Sequence, residues 1–181
     1  MEELLEHIDI RNIITQYIFF KPKNKKELQK AVSLWCKNKE KALNKYGHIS
    51  YWNTSLIKDM SYLFSGKKDF NDDISKWDVS NVKKMSFMFH YAISFNQPLN
   101  NWIVSNVKYM DSMLYHAESF NHPLNNWDVS NVKSMFAMFI CAKLFNQSLN
   151  NWDVSNVKSM NSMFIKTKSF NKKNALWYKE K

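Results

Sequence analysis

A strict repeat of 25 residues is the feature that most restricts how this chain can fold. Tryptophan recurs on that period without a slip, at Trp52, Trp77, Trp102, Trp127, Trp152 and Trp177. A period of roughly 20–50 residues is typical of proteins whose units bury their apolar faces against one another. The sequence therefore predicts similar coils of chain that are stacked in order.

Within one coil, the apolar spacing predicts a short strand followed by a helix. Leu99, Trp102 and Val104 have the spacing of the strand in leucine-rich repeats, and Ser105 is a good helix cap. The apolar residues that follow are spaced mostly by three: Val107, Met110, Met113, Leu114, Ala117 and Phe120. Parallel strands that are joined through helices require right-handed crossovers. We therefore predict an α/β fold, a right-handed leucine-rich-repeat-like solenoid of about five coils over residues 52–176.

Residues 1–51 are predicted to form an amino-terminal segment with a helical cap. Asn24 followed by Glu27 is a helix-start pattern, and the apolar spacing from Leu28 to Cys36 is that of an amphipathic helix. A second short helical turn is predicted from Glu40 to Tyr46, closing at Gly47. Apolar residues spaced by three and four within residues 1–20 predict a further short helix. Residues 177–181 are predicted to be a basic tail.

The repeat resembles that of BspA-like leucine-rich repeat proteins. The runs that carry the resemblance are Phe95–Met110, Phe120–Ala142 and Phe145–Phe164, with a similar leader in Lys25–Trp35 and Tyr46–Trp52. The resemblance implies a curved solenoid used for adhesion or protein–protein contact, known from bacterial surface proteins and expanded in large DNA viruses. It implies no catalytic residues.

The net charge of +10 does not by itself indicate nucleic-acid binding. Residues 85–165 carry four basic and four acidic groups, and the excess lies in residues 1–51 and 166–181. A nucleic-acid groove is expected to place its lysines along one continuous face. Nucleic acid is therefore an unlikely partner for the repeats.

The cysteines and the termini predict an intracellular protein. Cys36 and Cys141 are too few for a disulfide framework, which favours a reducing cytoplasm, that of a host cell included. The first residues are acidic where a signal peptide would be basic, and no apolar run is long enough to span a membrane.

Because the period is strict, equivalent residues of successive coils form rows along the stack. Most of these rows are predicted to be structural. The tryptophans and methionines are predicted to form the core. The asparagine row, which comprises Asn71, Asn96, Asn121, Asn146 and Asn171, is predicted to be buried and to bond the backbone of neighbouring coils. With 22 asparagines and two glycines in the chain, asparagine is expected to take the left-handed backbone positions.

Two rows are candidate partner-binding surfaces. The first is an acidic row on the predicted strand face, interrupted by one apolar residue: Asp78, Ile103, Asp128 and Asp153. The second is a lysine row: Lys83, Lys108, Lys133 and Lys158. The aspartates lie five residues before three of these lysines and are candidate ion-pair partners. A solvated face is the alternative interpretation of both rows.

No catalytic, metal or cofactor site is predicted. The five histidines lack metal-ligand spacing, and the serines belong to repeating rows rather than to a triad. The first functional hypothesis is a non-catalytic scaffold, expected to be a monomer, that binds an unknown protein through the strand face. The alternatives are a cell-surface or carbohydrate-binding adhesin, which exposed aromatic residues would favour, and a nucleic-acid binder.

Overall fold

The computed structural model describes residues 20–179 of the chain, so the predicted helix within residues 1–20 lies outside the described residues. Helix α1 spans Lys25–Lys37 and helix α2 spans Lys39–Tyr46. Two short 3-10 turns, at Ile49–Tyr51 and Lys172–Asn174, flank the repeats.

The predicted start of α1 is confirmed. The Asn24 side chain accepts a hydrogen bond from the Glu27 N–H at 3.1 Å, and the Glu27 carboxylate accepts one from the Lys23 N–H at 2.8 Å. Asn38 ends α1 and caps α2 by accepting from the Lys41 N–H at 2.8 Å. The buried stripe of α1 comprises Leu28, Ala31, Val32 and Trp35, whereas Cys36, which was predicted to belong to it, is exposed.

The predicted α/β solenoid of strand-and-helix coils is wrong. Within residues 20–179, the repeats contain no α-helix and no strand, and the parallel pairing is limited to isolated single-residue bridges. These bridges join Asp59 to Lys84, Lys84 to Tyr109, Tyr109 to Ser134 and Ser134 to Ser159. The strand-and-helix unit that is typical of leucine-rich repeats is therefore absent from the described residues.

Each repeat is instead a series of tight turns whose apolar ends face inward. The Trp102 N–H donates to the Leu99 carbonyl at 3.0 Å, so the predicted strand begins with a turn around two asparagines. The Val107 N–H donates to the Val104 carbonyl at 2.8 Å, which makes Ser105 a turn residue and not a helix cap. A turn brings its first and fourth residues close together. Apolar residues spaced by three are therefore as compatible with consecutive turns as with a helix.

Left-handed residues prevent the turns that follow each methionine from becoming a helix. In the third coil, Ser112 and His116 have φ of 51° and 53°, and equivalent residues of the other coils are also left-handed. Among residues 20–179, none of the left-handed residues is an asparagine, so the prediction that asparagine takes these positions is wrong. Alternate N–H groups point to the next coil: the Met85 N–H donates to Tyr109 and the Phe87 N–H to Asp111, both at 2.9 Å.

The core runs the length of the repeats as rows of stacked rings. Trp127 and Trp152 stack with ring centroids 6.4 Å apart, and Phe95 and Phe120 at 5.9 Å. The indole N–H of Trp127 donates to the Leu99 carbonyl of the preceding coil at 2.9 Å, and the other repeat tryptophans from Trp77 onward bond in the same way. The predicted burial is confirmed for the tryptophans from Trp52 to Trp152 and for the methionines of the repeats except Met160, which is half-buried, as is Trp177.

Candidate interaction surfaces

The acidic row predicted as a contact surface is exposed, although it does not lie on a strand. Asp78, Asp128 and Asp153 each precede a buried valine or its half-buried equivalent and follow a buried tryptophan. Ile103 occupies the same position in its coil and is 63% exposed, more than any other large apolar residue of the repeats before Leu176. An isoleucine that lies between aspartates and covers nothing contributes little to folding, which leaves it free to contact a partner.

The aspartates of this row hold turns rather than lysines. The Asp78, Asp128 and Asp153 carboxylates accept hydrogen bonds from the backbone N–H two residues later, at 3.0, 3.1 and 3.0 Å. The backbone and hydroxyl hydrogen bonds from Ser155 lower the pKa of Asp153. Local bonds of this kind are a property of aspartate in turns. One carboxylate oxygen of each aspartate thus accepts hydrogen bonds that stabilise a turn, and the rest of the carboxylate faces solvent.

The predicted pairing between the aspartate and lysine rows is not found. Among residues 20–179, the ion pairs join Lys25 to Asp59, Lys39 to Asp72, and Glu118 to both Lys143 and His116. The lysine row is instead in register through its backbone: each N–H donates to the carbonyl of the lysine one repeat earlier, at 2.8–2.9 Å. The side chains of Lys83, Lys108 and Lys158 are exposed, and that of Lys133 is half-buried.

The asparagine row bonds the neighbouring coils as predicted, but at the surface rather than in the core. The Asn121 side-chain oxygen accepts from the Asn146 N–H at 2.9 Å, and the Asn121 N–H donates to the Asn96 side chain at 3.0 Å. All five residues of the row are exposed. These side-chain amides are already hydrogen-bonded within the repeats and are poor candidates for partner contact.

A group of aromatic side chains on the outer side of the coils, directly before each methionine and in the turns that follow it, was not predicted from the sequence. Tyr62 and Phe87 stack at 4.7 Å, and Tyr91 and His116 stack at 4.5 Å. We call this group the outer aromatic surface; its members are Tyr62, Phe87, His90, Tyr91, Tyr109, Tyr115, His116 and Phe136. Tyr62 and Phe136 are 53% and 46% exposed. Exposed aromatic residues, the feature that would favour an adhesin, are therefore present.

A signal for the outer aromatic surface was present in the sequence. At these positions the residue type differs from one coil to the next, whereas the same residue types recur at the flanking core positions. Stacking does not require a particular side chain at a position that varies within a strict repeat. In this chain several of these positions hold aromatic residues. The predicted helix was based only on the repeating apolar positions and said nothing about these residues.

A family described as Mycoplasma protein of unknown function, DUF285, matches residues 26–143 and again residues 112–181. The chain belongs to the DUF285 family. The DUF285 match includes most of α1, all of α2 and all the repeats, so the helical segment and the coils are both covered by it. No curated protein and no solved structure matches the chain.

Neither a metal centre nor a membrane-spanning helix is found in the described part of this DUF285 chain. Residues 20–179 contain no group of three or more histidine, cysteine, aspartate or glutamate side chains placed to hold a metal ion. No helix among these residues is long and apolar enough to cross a bilayer. His90 and His116 belong to the outer aromatic surface, where burial of His90 and the charge of nearby His116 lower the pKa of His90.

Proposed function

We propose that this protein is a non-catalytic repeat scaffold that binds another protein through the row formed by Asp78, Ile103, Asp128 and Asp153. The observation that carries the proposal is the exposure of Ile103 between carboxylates that form no ion pair among the described residues. Kinship with the BspA-like repeat proteins, whose repeats serve adhesion or protein contact, belongs to the same proposal. Its support is the repeat motif of residues 95–164.

The chemistry of this row suits a partner with an apolar side chain surrounded by basic ones. The apolar residue provides buried area at the centre of a contact, and the flanking carboxylates favour a partner of opposite charge. A reducing intracellular setting is part of the proposal because Cys36 and Cys141 are both free thiols.

Photo-crosslinking at single positions tests this proposal. A photoreactive amino acid in place of Ile103 is expected to capture a protein from a native extract, whereas the same group at Leu144 is not. Leu144 is a matched control because it is 54% exposed but lies outside the proposed row. Equal capture at both positions, or capture at Leu144 alone, would contradict the proposal.

A charge-matched pair of variants provides a second measurement. Ile103→Asp combined with Asp128→Lys changes the net charge by the same amount as Leu144→Lys. We expect the double variant to lose at least one co-purifying protein that the wild type and the Leu144 variant retain. An unchanged set of co-purifying proteins would mean that this row is not the binding surface.

The outer aromatic surface favours a second candidate function, carbohydrate binding. Sugars stack on exposed rings, and Tyr109 and Phe136 present such rings at 41% and 46% exposure. Titration of a panel of oligosaccharides, followed by intrinsic fluorescence, tests this function. A response that disappears in Tyr109→Ala combined with Phe136→Ala, but persists in Ile103→Asp, would support carbohydrate binding over the protein scaffold.

A further inference from the structure

The outer side of helix α1 and the first coil together enclose an open cleft. Two neighbouring depressions, of 640 and 460 Å³, share Lys37 and Lys67 in their linings, and the two together are called the cleft. Helix α1 is held over the first coil by Trp35, whose indole N–H donates to Asp72 at 2.8 Å, and by an ion pair between Lys25 and Asp59 at 3.0 Å. The walls of the cleft are therefore fixed relative to each other.

The charges that line this cleft are mostly uncompensated. It contains six lysines and two aspartates: Lys26, Lys30, Lys37, Lys39, Lys67, Lys68, Asp69 and Asp72. Lys39 pairs with Asp72 at 2.5 Å, but no other lysine of the set is in an ion pair among the described residues. Ammonium groups that face one concave surface repel each other, and a bound anion removes this repulsion.

Part of the cleft lining, here called its floor, consists of apolar side chains. Leu34 is half-buried and packs against the core, Leu63 and Phe70 are buried, and the Tyr62 ring is 53% exposed where the cleft meets the outer aromatic surface. Apolar surface beneath a rim of lysines suits a ligand that carries both carboxylates and an apolar side chain. A small inorganic anion would leave this floor unused.

We propose that the cleft between α1 and the first coil binds an acidic peptide segment with an apolar anchor. This site is distinct from the row around Ile103 and does not depend on it. A protein segment fits better than a nucleic acid, because the lysine cluster ends at the first coil while residues 85–165 have no net charge.

Fluorescence anisotropy of the full-length chain tests the proposal with a defined probe. The probe is a fluorescein-labelled peptide of alternating glutamate and leucine, and the control peptide has lysine in place of each glutamate. Wild type is expected to bind the glutamate peptide and not the lysine peptide. Lys30→Glu combined with Lys67→Glu is expected to weaken binding about tenfold or more, because two attractive charges become repulsive.

A charge-matched variant separates the cleft from general electrostatics. Lys108→Glu combined with Lys158→Glu makes the same change in net charge on exposed lysines of the repeats, outside the cleft. We expect its affinity for the glutamate peptide to stay within about twofold of wild type, the difference expected from long-range charge alone. Equal weakening by both double variants, or no peptide binding by the wild type, would overturn the proposal.

Two further measurements identify the ligand class and the place of binding. A single-stranded RNA oligonucleotide that binds more tightly than the peptide, with an affinity that falls steeply between about 50 and 200 mM salt, would reject the peptide in favour of nucleic acid. Cys36 lies in the cleft wall, whereas Cys141 is buried. Bound peptide is expected to slow alkylation of Cys36 by iodoacetamide at about pH 8.5, and an unchanged rate would place the peptide elsewhere.

Discussion

At the scale of single residues, left-handed backbone is the main local cost of this fold. Two positions in each coil, the second and sixth after the methionine, have φ between 51° and 71°. Gly66 is the one glycine among them, and the other positions hold residues as large as Phe87 and Tyr91. In the first four coils the same positions donate their N–H groups to the next coil, as Phe87 does to Asp111 at 2.9 Å and Tyr91 to Tyr115 at 2.8 Å. Hydrogen bonding between coils therefore stabilises a left-handed conformation that would be unfavourable in an isolated turn.

Gly66→Ala measures this cost directly. A methyl group at Gly66 meets no atom within 4 Å, so the substitution adds conformational strain without a clash. We expect unfolding to become easier by about 1 kcal/mol in urea denaturation. Lys166→Gly, at the equivalent position of the last coil with φ of 57°, is the reverse control and should increase stability. Stabilisation by Gly66→Ala would show that the backbone is not left-handed there.

His90 is expected to make stability depend on pH. Its pKa is lowered from 6.5 by burial and by nearby His116, so the folded state favours the neutral ring. The unfolded chain then binds the proton more readily, and stability is full above pH 6.5 and declines as pH falls toward the folded pKa. His90→Phe retains ring stacking on Tyr115 but cannot titrate. Its melting temperature should change less than that of the wild type between about pH 7.5 and 5.5. Parallel curves for the two proteins would contradict this role.

At the scale of elements, polar pairs between apolar residues determine the path of each coil. Leu99-Asn-Asn-Trp102 and Val104-Ser-Asn-Val107 are both closed by a hydrogen bond between their first and fourth residues. Asparagine and serine favour turns because their side chains bond to nearby backbone. The amides also join coils, since the Asn106 side chain donates to the Ser80 carbonyl at 2.7 Å. The same short residues therefore direct the turn and connect it to its neighbour.

A pair of substitutions at Asn121 separates the contribution of its side-chain oxygen to stability from that of its side-chain nitrogen. Asn121→Ala removes the acceptor of the Asn146 N–H, which lies at 2.9 Å, and should destabilise by about 1 kcal/mol. Asn121→Asp retains an oxygen at that place and should cost less. Chemical denaturation of both variants measures the difference. Similar losses in the two variants would mean that the amide nitrogen, and not the oxygen, contributes the stability.

At the scale of the whole molecule, the two ends of the repeats are covered in different ways. Helix α1 covers the first coil, where Trp35 contacts Trp52 edge-to-face at 5.8 Å. At the other end, Trp177 stacks on Trp152 at 6.1 Å and its indole N–H donates to Leu149 at 2.8 Å. The lysines of this end, such as Lys168 and Lys173, add charge that discourages association through an uncovered edge.

Removal of residues 172–181 is expected to promote self-association. The truncation uncovers Trp152 and removes the Leu176 N–H that donates to Asn150 at 2.9 Å. Size-exclusion chromatography at several concentrations should show earlier elution than for the full chain. Removal of residues 179–181 alone retains Trp177 and should not change elution. A truncated chain that elutes as a monomer at every concentration would contradict this prediction.

The sequence by itself determined the period, the rows and the start of α1. Residues that recur every 25 positions reach the same place in each coil whatever path the backbone takes, so the buried Trp127 and the exposed Ile103 could both be predicted. The Asn24 cap could also be predicted, because it depends on residues three positions apart.

The tertiary structure alone decided the backbone path and the outer aromatic surface. Apolar residues spaced by three satisfy a helix as well as consecutive turns, and the choice depends on where alternate N–H groups find acceptors. The Phe87 N–H bonds to Asp111, a residue of the next coil, and Phe87 has left-handed backbone although phenylalanine has no local preference for it. The cleft beside α1 arises similarly, since only packing brings Lys30 of the helix and Lys67 of the first coil to one groove.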